Sequence, residues 1–146
     1  MTPGTLLEHL PTHATVLVDT APVIYLLDGN AQYLPKFLPL FRAAERGELR
    51  ILLTPVTLAE VLAGPLKARK EALAERYESA LREGLGWRVV DLDSDIAAKA
   101  SRLRIRYGLK LPDAFQLAAA IAHSADALVT HDRDFGQATR EVAILG

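Results

Sequence analysis

The stretch Val16-Leu17-Val18-Asp19-Thr20-Ala21-Pro22-Val23-Ile24-Tyr25-Leu26-Leu27 decides how the rest of the chain reads. Thr15 to Val18 is a short apolar, β-branched run, which is strand chemistry. An acid follows at once. Pro22 then stands where a helix begins, and Val23 to Leu27 continue an apolar helical turn that Asp28-Gly29-Asn30 ends. Outward from this unit the pattern repeats. Residues 34–46 carry Phe37, Leu38, Phe41 and Ala44 at helical spacing, and Gly47 stops them. Ile51 to Leu53 reads as a second strand, and Thr54-Pro55 as a cap with Pro in the first turn. Val56 to Ala63 predicts a short helix stopped by Gly64-Pro65, and residues 66–83 a longer charged helix ending at Gly84. Trp87 to Val90 predicts a third strand. Ser94 is placed to cap a helix running to Tyr107, with Gly108 as its stop. Pro112 opens an alanine-rich helix over 113–123. Ala127 to Val129 and Val142 to Ile144 read as the fourth strand and a fifth, edge strand. Strands that alternate with helices predict an α/β fold whose mainly parallel sheet is covered on both faces.

The 146 residues suit one domain, and a chain of this length buries a real core. Residues 1–14 read as an N-terminal extension and 15–146 as the domain proper. There is no Cys, which excludes a disulfide framework, a thiolate zinc site and a Cys nucleophile. Any metal must be held by oxygen or by the four histidines. The formal net charge of −1 gives no overall basic signature. No stretch approaches the roughly 18 apolar residues of a membrane span. The first residues lack a basic region and are broken by Pro3 and Pro11, unlike a secretory signal. A cytoplasmic protein is the expectation.

In parallel sheets ligands bind outside the carboxyl ends of the strands. Four acids fall there. Asp19 follows the first strand, and Asp132 follows the fourth after Thr130-His131. Glu60 lies on the helix that starts at the end of the second strand, and Asp113 lies in the first turn behind Leu111-Pro112. Gathered carboxylates repel one another and raise one another's pKa. A divalent cation removes that conflict, and oxygen-only ligands suit Mg²⁺ or Mn²⁺. Water on such a cation can be activated to attack phosphorus. Each acid taken alone has a plainer reading. Asp19 reads equally as a helix cap, Asp113 as a first-turn charge on the helix dipole, Glu60 as a solvated residue and Asp132 as a turn residue. Asp134 is a fifth acid, read here as a surface turn residue or a contributor through the Asp-x-Asp spacing. Asp91, Asp93 and Asp95 imitate the start of a calcium loop, but Ile96 and Arg102 occupy the places of its Gly and Glu.

The segments VLVDTAPVIYLL, TPVTLAEVLAGPL, LRIRYGLKLPDAFQLAAAI and ALVTHDRDF follow one another in the order of the PIN domain. The chain resembles the VapC-type toxin branch of that family over about residues 15–145. The resemblance implies a three-layer α/β/α sandwich and a metal-dependent endoribonuclease, the toxin of a type II toxin–antitoxin pair. It implies that Asp19, Glu60, Asp113 and Asp132 hold one or two Mg²⁺ or Mn²⁺ ions and position the hydrolytic water. It also implies a homodimer and a groove for a cognate antitoxin, drawing on the apolar residues of 23–27 and 34–40. Thr20, Thr130 and Asp134 stand close enough in sequence to support the ligands. Ala21 departs from the family's usual Asn or Ser, and His131 from its common Asn.

Residues 99–110 carry Lys99, Arg102, Arg104, Arg106 and Lys110 with no acid among them. Lys99, Arg102 and Arg106 share one helix face, and with Lys110 they form a candidate stripe for RNA phosphates. A solvated helix face accounts for the same pattern. Gln116 reads as either reaching toward the acids or resting at the edge of the core. Two rivals remain for function. One is a PIN-fold RNA- or protein-binding module with little or no nuclease activity. The other is a phosphatase with an aspartyl nucleophile, which lacks its usual second acid because that place is Ala21.

Overall fold

A computed structural model describes residues 6–84 and 86–146. Residues 1–5 of the N-terminal extension lie outside the described residues. The order is β1 (Thr15–Val18), α1 (Thr20–Asp28), α2 (Leu34–Glu45), β2 (Arg50–Leu53), α3 (Pro55–Lys67), α4 (Glu71–Glu83), β3 (Trp87–Val89), α5 (Ser94–Tyr107), α6 (Leu111–Ala122), β4 (Ala127–Val129) and β5 (Ala143–Leu145). Single 3₁₀ segments, Leu6–His9 and Arg133–Arg140, precede β1 and β5. The first of these packs against α2, and its Leu6 is buried in the core.

The sheet runs β3-β2-β1-β4-β5, and every neighbouring pair is parallel. The period of two along each strand feeds two separate cores. Val16, Val18, Ile51, Leu53, Ala127 and Val129 point into a core that includes Val23, Phe37, Phe41, Val61 and Leu81 from α1 to α4. Leu17, Leu52 and Leu128 point the other way, to Ala100, Leu103, Leu117 and Ala118 of α5 and α6 and to Phe135. This is a three-layer α/β/α sandwich, as the alternation of strands and helices requires. The fully buried Ala114, Ala118, Ala119 and Ala120 let α6 approach the sheet closely.

Several local boundaries differ from the sequence expectation, among them the start of the charged helix, which lies at Glu71 and not at 66. Gly64-Pro65 does not stop α3, which continues to Lys67. Its end is set by a paired turn instead. The Lys70 N–H donates to the Pro65 carbonyl at 2.9 Å and the Arg69 N–H to the Leu66 carbonyl at 3.1 Å, with Arg69 left-handed at φ +58°. That is a Schellman closure without glycine. The cap of α5 is Asp93, whose carboxylate accepts the Ile96 N–H at 2.9 Å, rather than Ser94. The edge strand is one residue later than expected, at Ala143–Leu145.

Gly86 enters β3 at φ +85°, and its carbonyl accepts the Ile51 N–H at 3.0 Å. A Cβ there would lie 2.4 Å from the carbonyl carbon of Ala44. Backbone cannot retreat as a flexible side chain does. Gly86→Ala is therefore expected to destabilise the fold by about 2–3 kcal/mol. Chemical denaturation checks this, and an unchanged midpoint would contradict the packing described.

Candidate metal centre

The chain winds from β1 outward to β2 and β3, then returns to place β4 on the other side of β1. The strand order reverses between β1 and β4, so the carboxyl ends of these two strands border an open crevice. They are pinned together there, with the Asp19 N–H donating to the Val129 carbonyl at 2.8 Å. Asp19 occupies the cap position of α1, yet its side chain makes no capping bond. Its carboxylate is used otherwise. Oδ1 accepts from Gln116 Nε2 at 3.1 Å, and Oδ2 accepts from Thr130 Oγ1 at 2.8 Å. The residue is only 8% exposed. The helix-cap reading of Asp19 is thereby replaced by a buried carboxylate with both oxygens held.

Gln116 is the hub of this arrangement and is fully buried. Thr54 Oγ1 donates to its Oε1 at 2.6 Å, which fixes the orientation of the amide. Its Nε2 then donates to both Asp19 and Thr57 Oγ1, the latter at 2.8 Å. Thr20 Oγ1 spends its single proton on Glu60 Oε1 at 2.7 Å. In the 3.2 Å contact between Thr20 and Thr57, the donor is therefore Thr57. On the far side, Thr130 Oγ1 accepts the Asp132 N–H at 2.9 Å, and Asp132 Oδ1 accepts the Asp134 N–H at 2.9 Å. A continuous hydrogen-bonded chain thus runs from Glu60 through Thr20, Thr57, Gln116, Asp19 and Thr130 to Asp132 and Asp134.

Asp113 stands outside that chain: among the described residues its carboxyl makes no hydrogen bond. It enters the crevice from the first turn of α6. Carboxylate oxygens of Asp113, Asp132 and Asp134 lie within 4.8 Å of one another. Burial first, and then the charges of Asp19, Asp132, Glu60 and Asp134, push the Asp113 carboxyl up to about 6. None of the five acids takes part in a salt bridge among the described residues. The oxygen donors of Asp113, Asp132 and Asp134 are close enough together to hold a divalent cation. Asp19 and Glu60 fall outside the tight group of three but face Asp113 electrostatically.

Thr54, Thr57 and the central place of Gln116 escaped the sequence reading. The available signal was a Thr one turn before Glu60 and a lone amide inside an alanine-rich helix, and polar groups at such positions need partners. The basic stripe is only partly available. Lys99, Arg102 and Lys110 are exposed, but the Arg106 guanidinium donates to Glu141 at 3.0 Å, which also accepts from Tyr107. Size alone does not mark the site. A cavity of about 720 Å³ opens at the other end of the strands beside His13, Thr15, Arg50 and Trp87, and no carboxylate among the described residues lines it. No helix among the described residues is long and apolar enough to cross a membrane.

No curated protein matches the sequence significantly. Among solved structures, a toxin–antitoxin complex from Klebsiella pneumoniae matches with 29% identity and a TM-score of 0.60, over 82% of this chain and 89% of that one. VapBC of Rickettsia felis, bound to a DNA fragment from its promoter, matches at 19% identity and a TM-score of 0.68, over 89% and 96%. A sarcin-ricin loop cleaving VapC toxin of Mycobacterium tuberculosis matches at 16% and 0.68, over 84% and 94%. The family model of the PIN domain matches residues 16–141. The chain belongs to the PIN domain family, and VapC-type toxins are among its structural neighbours.

Proposed function

We propose that this protein is a Mg²⁺- or Mn²⁺-dependent endoribonuclease, the toxin of a type II toxin–antitoxin pair acting in the cytoplasm. The observation that carries the reading is the acid cluster at the reversal of strand order, which has no salt bridge among the described residues and in which one carboxyl is pushed up to about 6. Asp19, Glu60, Asp113 and Asp132 would hold the cation, with Asp134 beside them. A bound divalent cation supplies an activated water and neutralises charge on the phosphoryl oxygens.

The chain's own contribution is aim and charge. Gln116 and Thr130 hold both oxygens of Asp19, and Thr20 holds Glu60, so these ligands need no reorganisation when charge develops. Thr130 ties the backbone of Asp132 to Asp19, so the two sides of the crevice keep a fixed separation. Asp113 exchanges its carboxyl proton close to neutral pH and completes the donor set as a carboxylate. Lys99, Arg102 and Lys110 would attract phosphates along α5, with Arg106 contributing once freed from Glu141.

A second copy of the chain and an antitoxin are the proposed protein partners. Ile105 is 82% exposed and Leu66 and Leu111 are nearly half exposed, so these apolar side chains would be available to such partners. The test of activity uses the purified, partner-free protein and a structured RNA. Cleavage is expected with Mn²⁺ or Mg²⁺ and is expected to vanish in EDTA. Cleavage that survives EDTA, or no cleavage with either cation, would overturn the proposal.

A further inference from the structure

His131 separates Thr130 from Asp132, and three rings surround its imidazole. The ring centroid of Tyr33 lies 4.9 Å away, that of Tyr25 5.6 Å and that of Phe37 5.8 Å. Tyr25 itself packs on Tyr33 at 5.2 Å and on Phe37 at 6.0 Å. The Tyr25 hydroxyl and His131 Nδ1 are 2.7 Å apart in a hydrogen bond, which fixes the plane of the imidazole. Among the described residues nothing bonds Nε2. A cluster serving only as core would be sealed. This one is open, since His131 is exposed and Tyr33 is 38% exposed.

Of this cluster His131 lines a cleft of about 320 Å³, together with Lys36, Thr130, Asp132, Arg133 and Leu145, among others, and Tyr33 packs against the His131 ring. The cleft and the acid cluster thus have Asp132 in common, while Lys36 and Arg133 supply positive charge. Lys36 Nζ also lies 5.8 Å from the centre of the Phe37 ring. Flat rings beside cations are what a nucleotide needs, because the base stacks and the phosphate is neutralised. The same cations disfavour a basic peptide arm in this cleft.

We propose that Tyr33 and His131 form a nucleobase subsite, which seats one unpaired base of the RNA next to the acid cluster and so sets where the strand is cut. The proposal rests on the nuclease reading above. Stacking gives the affinity, and His131 Nε2, held in a fixed plane, offers one hydrogen bond to the base edge.

The test uses a set of single-stranded RNA decamers, each lacking the base at one position, with binding followed by fluorescence anisotropy in Ca²⁺. For the unaltered protein, loss of one particular base is expected to weaken binding about tenfold. Tyr33→Leu and His131→Leu are expected to bind the complete decamer about tenfold more weakly and to show no such position. Mn²⁺ binding by Tyr33→Leu, measured calorimetrically, should be unchanged, which separates a lost stack from a damaged site. If both variants bind all decamers as the unaltered protein does, the subsite is refuted while the nuclease reading stands. If the unaltered protein neither cleaves RNA nor binds any decamer, both fall.

Discussion

Asp113→Asn is expected to lower RNA cleavage on the order of 10³-fold and, at the same time, to make the metal-free protein more stable at neutral pH. The two effects have one origin. Asp113 is half-buried, faces four other acids and makes no hydrogen bond among the described residues, so its ionised form is disfavoured in the folded chain, and its carboxyl is raised from 3.8 to about 6. Between those values the native state holds a proton that the unfolded chain has released. Stability therefore falls as pH rises through this window, and the loss is complete above about 6. The amide cannot ionise, so the variant should lose that slope. Thermal melts in EDTA at pH 4.5 and 7.5 check this, with the variant melting higher than the parent only at the upper pH. Parallel behaviour at both values would show that Asp113 is not the strained member. The gain in stability should vanish when Mn²⁺ is added, because a cation relieves the same repulsion in the parent alone.

Gln116→Leu carries the largest expected loss of stability. Leucine nearly preserves volume, so the effect isolates hydrogen bonding. Thr54 loses its acceptor, while Thr57 and Asp19 lose a donor, and all of these groups are buried. An unsatisfied buried group costs about 1–3 kcal/mol, more beside a charge, and part of the sum is recovered by relaxation. A net loss of about 3–4 kcal/mol follows, or on the order of 10 °C in Tm for a domain of this size. Mn²⁺ affinity should fall as well, because Asp19 Oδ1 is no longer held. A melt within about 2 °C of the parent would mean that the network is not what fixes Asp19.

The layered fold was legible because β1 and its neighbours are continuous apolar runs, which only a sheet covered on both faces can bury. The acids after β1 and β4 were legible for a related reason: short strands end abruptly, and whatever follows must lie at the carboxyl edge. What periodicity could not reveal was which polar groups turn inward. Gln116 sits on α6 among alanines, and only the crossing of α3 beside it brings Thr54 and Thr57 within reach. The stop expected at Gly64-Pro65 failed because the apolar face of α3 outweighs a Pro late in the helix, while the turn at Arg69 has no Gly to announce it. The aromatic ring around His131 joins residues more than 90 positions apart, a distance at which local pattern carries no signal.

The placement of β1 at the centre of the sheet also has a temporal side. Its pairing with β2 joins neighbours in the chain, but its pairing with β4 joins Leu17 to Leu128. Contacts between such distant positions form late, because a long loop must close before they are rewarded. Thr130, Asp132 and Asp134 directly follow β4, so the acid cluster closes only when that long-range pairing has formed.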